Sequence, residues 1–141
     1  MARYAEYKIA KSFKEIIDDK KGTLFELFTM DKNGYTVKRY LCRARYGDRH
    51  RLDDCLDKNT LRITLCTKTG QQVYGSWTVP LTDYHGAKIN NVASDTVNYY
   101  NETFITLSRD IAYNHCMDNL RRKINGLKKK ATTLHETIYA L

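Results

Sequence analysis

From Tyr113 to the last residue, the chain carries an almost unbroken heptad of apolar residues. These residues recur in alternating steps of four and three: Tyr113, Met117, Leu120, Ile124, Leu127, Ala131, Leu134, Ile138 and Leu141. Such spacing keeps one apolar seam along a helix, and it predicts a single long helix over residues 108–141. Ser108 suits the N-cap, and Asp110 places a favourable charge in the first turn. Any fold of this chain must accommodate a helix that is long relative to a small domain.

The flanks of this heptad are basic. With Leu120 at position d, the e positions hold Arg121, Lys128 and His135, and the g positions hold Cys116, Lys123 and Lys130. Paired copies would bring like charges together, which opposes self-association by amounts that salt screens. Three alternatives remain open, namely that the seam packs on its own sheet, on a second copy or on another protein. We expect a homodimer that tightens as salt rises, in which either only part of the seam pairs or the helix of one chain lies across the sheet of the other. The expected interface residues are Leu120, Ile124, Leu127, Ala131, Leu134 and Ile138.

The segment before the heptad predicts an α+β fold. Residues 5–20 have the periodicity of a short N-terminal helix. Residues 23–30 and 35–46 form a hairpin around Asn33-Gly34, a pair that tolerates the positive φ of tight turns. Residues 60–67 and 72–79 form a second hairpin, and 96–107 favour a strand without excluding an early helix start. The prediction is a mainly antiparallel sheet of four to five strands in residues 1–107, with helix 108–141 part of the same single domain.

Composition favours a soluble protein with an acidic partner. The chain has 141 residues, 42% of them hydrophobic, and a net charge of +8. Such a charge favours nucleic acid or an acidic protein surface as the partner. The start of the chain has no long apolar run, no stretch reaches transmembrane length, and the cysteine spacings match neither a zinc site nor a redox motif. We therefore expect reduced thiols, a cytoplasmic location and no membrane partner.

Arginines are concentrated on one predicted strand. Alternation along residues 35–46 places Arg39, Arg43 and Arg45 on one face and tyrosines on the other. Regularly spaced arginines can follow a phosphate backbone, although such a row is also a common solvated face. The candidate binding residues are these three with Arg49 and Arg51, together with the helix cations Arg121, Arg122, Lys123, Lys128, Lys129 and Lys130.

Catalytic chemistry is not indicated. His50, Asp53, Asp54 and Cys55 lie close in sequence, and Asp83 lies near His85, but neither group has the spacing of a known catalytic or metal motif. We expect no enzymatic activity, no cofactor and no metal. The function favoured is that of a small basic nucleic-acid or nucleoprotein binder. The alternative is a regulator or inhibitor of the phage or mobile-element type that docks on an acidic surface of a host protein through its C-terminal helix.

Overall fold

A computed structural model describes residues 7–47, 58–99 and 103–139, without the side chains of Tyr7, Tyr74 and Tyr139. Two helices and seven strands occur in these residues. In chain order they are β1 (Tyr7–Lys8), α1 (Phe13–Asp18), β2 (Leu24–Asp31), β3 (Val37–Tyr46), β4 (Thr60–Cys66), β5 (Gln72–Pro80), β6 (Thr96–Tyr99), β7 (Thr103–Thr106) and α2 (Arg109–Tyr139).

The strands form one sheet in the order β5-β4-β3-β2-β7-β6, and β1 pairs with β2. Every pairing is antiparallel except that of β1 with β2. The predicted α+β class, the two hairpins and the long C-terminal helix are confirmed. The strand count of four to five was too low, because residues 96–107 contain two short strands, Thr96–Tyr99 and Thr103–Thr106, and because β1 is a further strand.

The predicted N-terminal helix exists, but its extent over residues 5–20 was wrong. The helix begins only after Ser12, whose Oγ accepts a hydrogen bond from the Glu15 backbone N–H at 3.2 Å, and the Glu15 carboxylate in turn accepts from the Lys11 N–H at 2.8 Å. A serine followed three residues later by glutamate marks the start of a helix, and apolar periodicity alone does not detect this pair. Before it, Tyr7–Lys8 is a strand.

The turn of the first hairpin also differs from the prediction. Gly34 donates its N–H to the Asp31 carbonyl at 3.1 Å, while the pairing of β2 with β3 begins only at Met30 and Val37. Gly34 is not among the glycines with positive φ. The turn therefore does not use the positive φ at Gly34 that the Asn-Gly pair suggested, and its Lys32 and Gly34 carbonyls accept hydrogen bonds from Asn119 of α2.

Strand β2 is the centre of the fold, because its residues from Leu24 to Met30 are all buried. Its inner face, which carries Phe25 and Leu27, packs with α1 and most of the apolar core. Its outer face, which carries Phe28 and Met30, packs against the first turns of α2. A strand covered on both sides needs apolar residues at every position, as the sequence LFELFTM nearly provides.

The sheet curls so that its two edge strands approach each other across the inner face. Trp77 of β5 and Tyr99 of β6 lie 6.2 Å apart between ring centroids. The Asn90 amide nitrogen donates to the carbonyls of Pro80 at 2.7 Å and Asn98 at 3.1 Å, and its oxygen accepts from the Asn98 N–H at 2.8 Å. One side chain thus links β5 to β6, while α2 stays outside the curl.

Candidate binding surface

The first turn of α2 is held to the sheet by a buried carboxylate. Glu26 is fully buried on the outer face of β2. It accepts hydrogen bonds from Arg39 Nε at 2.6 Å and from Arg109 Nη2 at 2.8 Å, and so ties β3 and the start of α2 to β2. The bond to the Arg109 guanidinium is the main reason that the pKa of Glu26 is lowered, with Arg39 adding to it and burial acting against both. Arg39, a predicted binding residue, therefore has a structural ion pair.

Two polar side chains then fix α2 against the turn of the first hairpin. Asn119, which is 5% exposed, donates from Nδ2 to the carbonyls of Gly34 at 2.7 Å and Lys32 at 3.1 Å. His115 Nε2 lies 3.0 Å from the Asp31 carbonyl oxygen, which accepts a hydrogen bond from the tautomer that carries its proton on Nε2. These bonds fix the direction of α2, so that the helix continues beyond the hairpin turn.

Beyond this anchor the helix leaves the domain. Every side chain from residue 121 to residue 138 is exposed. At a rise of 1.5 Å per residue, this projecting half of α2 extends about 27 Å. It contains six lysines and arginines and a single carboxylate, that of Glu136. The long helix therefore extends well beyond the sheet, and this projecting half is strongly cationic.

The heptad seam is not the face that packs on the sheet. The residues that do so are Ala112, Cys116 and Asn119, and the seam follows each of them one residue later in the chain. One residue is a rotation of about 100° around the helix, so the seam points away from the contact. Met117 and Leu120, next to the contact, are half-buried, but the other large seam residues are exposed: Tyr113 by 64%, Ile124 by 49%, Leu127 by 55%, Leu134 by 62% and Ile138 by 55%. Packing of the seam on its own sheet is thus excluded for most of its length.

A cationic groove lies where the projecting half leaves the hairpin turn. Its volume is about 420 Å³, and Lys123 Nζ lies 5.4 Å from the ring centroid of Tyr35. The described residues that line it include no carboxylate, so it suits an anionic group. Its lining residues are Asn33, Tyr35, Asn119, Arg122, Lys123, Gly126, Leu127 and Lys130.

The predicted arginine row lies elsewhere. Arg39, Arg43 and Arg45 share the outer face as predicted, but Leu41 between them is buried against Leu24 and Cys66. Arg43 donates to the Gly70 carbonyl at 2.5 Å, and both Arg43 and Arg45 are exposed. They lie six to eight residues along β3 from the hairpin turn, roughly 20–27 Å from it, while α2 projects in the opposite direction. Arg49 and Arg51 lie outside the described residues.

The side chains that suggested chemistry have structural tasks where they are described. The Asp83 carboxylate accepts from the backbone N–H groups of His85 at 2.8 Å and Ala87 at 2.9 Å, and so shapes its own turn. His50, Asp53, Asp54 and Cys55 lie outside the described residues. No three metal-binding side chains converge within residues 7–47, 58–99 and 103–139.

The described thiols and helices add little chemistry. Cys42 and Cys66 are buried free thiols, as expected for small apolar strand residues, and burial raises the pKa of Cys42. Neither α1 nor α2, as far as the structure describes them, is long and apolar enough to cross a bilayer.

No protein-family model, curated protein or solved structure matches the chain. Its function therefore has to be inferred from its own residues. Two features of the sequence indicate how α2 is attached to the sheet, and the sequence analysis did not use them. The apolar neighbours of Glu26 indicate that this residue is buried, and the row Ala112, Cys116, Asn119 supplies a helix face distinct from the heptad.

Proposed function

We propose that this chain is a non-enzymatic binding protein that docks on an acidic protein through the projecting half of α2. The observation that carries the proposal is an exposed apolar seam with cations on both sides. Lysines and arginines attract an acidic partner, and burial of the seam adds the apolar contribution that holds it. A nucleic-acid backbone neutralises the cations equally well but leaves Ile124, Leu127 and Leu134 in water.

Nucleic-acid binding stays the second candidate, and the cationic groove is the observation that favours it. Tyr35 is 42% exposed there and offers a ring on which a base can stack. Arg122, Lys123 and Lys130 line the same groove and can pair with the phosphates of a nucleic acid bound there. The outward Arg43 and Arg45 add a second cationic area. That area lies at the far end of the sheet, so one short nucleic acid does not span both.

The experiment is affinity capture from the source cell with the full chain as bait. One variant carries Lys128→Glu, Lys129→Glu and Lys130→Glu. The matched control reverses the same number of charges at exposed positions outside α2: Lys20→Glu, Lys21→Glu and Lys68→Glu.

We expect an acidic protein to be retained by the wild-type and control baits, to be lost from the helix variant and to resist nuclease treatment. With the purified partner, the helix variant should bind at least about tenfold more weakly, because three adjacent charges become repulsive. Retention that disappears with nuclease would favour the nucleic-acid candidate instead. Equal retention by all three baits would refute the role of α2.

A further inference from the structure

We infer that the partner of this surface is an acidic amphipathic helix, which pairs with the heptad seam as a two-stranded coiled coil. This inference rests on the proposed function and names the class of partner. The apolar stripe has the narrow a/d form of a coiled-coil seam, and not the broader apolar face of a helix that covers a sheet. From Tyr113 to Ile138 it extends about 38 Å, a length that a helix of similar size covers completely.

Charge complementarity decides which helix fits. Within the projecting half, positions e and g hold the four cations Arg121, Lys123, Lys128 and Lys130, followed by His135 and Thr137, with no carboxylate among them. Glu136 lies at position f, on the side away from a partner. Glutamates at the e and g positions of a second helix would face these four cations in either orientation. The e and g residues select the partner in coiled coils.

A second copy of the chain fits the same seam poorly. In a parallel pair, g residues face e residues of the other chain, so Lys123 would face Lys128. In an antiparallel pair, e faces e and g faces g, which again places cations opposite cations. The repulsion is specific to self-pairing, and an acidic helix turns each of these contacts into an attraction.

The helix itself also requires a partner for full stability. Glycine at 126 and threonines at 132, 133 and 137 are poor helix formers. Most helical stability in proteins comes from the packing of an amphipathic face, and every side chain of residues 121–138 is exposed. Cover of the seam would therefore increase the helicity of the projecting half, which gives binding a spectroscopic signal.

The test uses a synthetic peptide of four heptads with Ile at a, Leu at d and Glu at e and g. Two comparison peptides are needed: one of identical composition with the heptad scrambled, and one with Lys in place of Glu. The binding partner is the full chain in three forms. These are the wild type, the seam variant with Leu127→Asp and Leu134→Asp, and a control with Asn125→Asp and Thr133→Asp, which adds the same charge on the opposite side of the helix.

We expect the acidic heptad peptide to bind the wild type and the control with a Kd at or below the micromolar range, with a gain of helical circular dichroism. The seam variant should bind it on the order of a hundredfold more weakly, since carboxylates would enter an apolar contact. Neither comparison peptide should match this affinity. Equal binding of the scrambled peptide would overturn the helical partner and leave the proposed function intact.

Two further outcomes would also overturn the inference. One is that neither the acidic heptad peptide nor its scrambled form binds the wild type. In that case the capture experiment still tests the proposed function by itself. The other is a stable dimer of the chain alone at low salt that the seam variant abolishes, because a second copy would then occupy the seam. Sedimentation of the three forms at low salt measures this.

Discussion

The ion-paired cluster of Glu26, Arg39 and Arg109 gives the sharpest test of how α2 is attached. The Glu26 side chain is 1% exposed, whereas those of Arg39 and Arg109 are 41% and 61% exposed. Removal of either arginine leaves the carboxylate with the other one and leaves no buried cation behind. We therefore expect Arg39→Ala or Arg109→Ala to lower the free energy of unfolding by about 1–2 kcal/mol each, the lower range for charge-assisted hydrogen bonds because the arginines are solvated.

The double variant should lose more than the two single variants together. With both arginines absent, a carboxylate remains in the interior with no cation, which costs about 3–5 kcal/mol. Replacement of that carboxylate by an apolar side chain removes the cause. Glu26→Leu in the double-variant background should therefore recover most of the loss, since leucine needs no partner in a strand that is buried on both faces.

Urea denaturation at pH 7 measures all four variants against the wild type. An additive double variant, within about 0.5 kcal/mol of the sum, would show that the carboxylate does not depend on these two cations. A double variant that Glu26→Leu fails to rescue would show that the arginines act through other contacts. Either result would refute the buried carboxylate as the anchor of α2.

Three other outcomes are expected. Because the pKa of Glu26 is lowered below its ordinary value of 4.5, its ion pairs stabilise the fold above that pH, and this contribution is lost as the pH falls through the lowered pKa. The urea midpoints of the wild type and of Glu26→Gln should therefore converge as the pH is lowered. A difference between the two midpoints that stays constant with pH would contradict this. Asn119→Ala should lower the free energy of unfolding by about 1–3 kcal/mol in the same assay, because two carbonyls of the hairpin turn lose their hydrogen-bond donor. A change near zero would mean that water replaces the amide as the donor. Self-association of the chain should be weak and should increase with salt as repulsion is screened, as sedimentation at two salt concentrations can show; tighter association at low salt would be the opposite result.

Local periodicity was enough to predict much of the fold. The heptad defined α2 almost to its ends, and alternation along β3 placed Arg43 and Arg45 on one face and Tyr40 and Cys42 on the other, as the structure has them. Both patterns repeat over many residues, so a single exception does not change the result. Ser108 accepts a hydrogen bond from the Ile111 N–H at 3.2 Å, which agrees with its expected capping role.

What periodicity could not predict depends on contacts between distant residues. Asn90 lies in a segment without apolar periodicity, yet it joins β5 to β6, because its amide supplies both a donor and an acceptor to backbone groups of these strands. The Glu26 carboxylate has Arg109 as a partner, and this arginine is distant in sequence. The direction of α2 depends on Asn119 and the hairpin turn. The sequence indicated two groups of cations but not their relative position, and in the structure the row on β3 and the cations of α2 lie at opposite ends.

The position of the seam relative to the sheet carries the functional argument. Had the sheet contact and the heptad used the same helix face, the seam would be core, and the cations beside it would be a solvated rim. They differ by one residue, so the anchors at Glu26 and Asn119 hold the helix while its apolar stripe stays outside. Exposed Leu and Ile residues in a regular stripe are unfavourable in water and contribute nothing to this domain alone. Their regular spacing continues for about 18 residues beyond the last sheet contact, and this is the surface that the proposed partner, a helix of matching period and opposite charge, would cover.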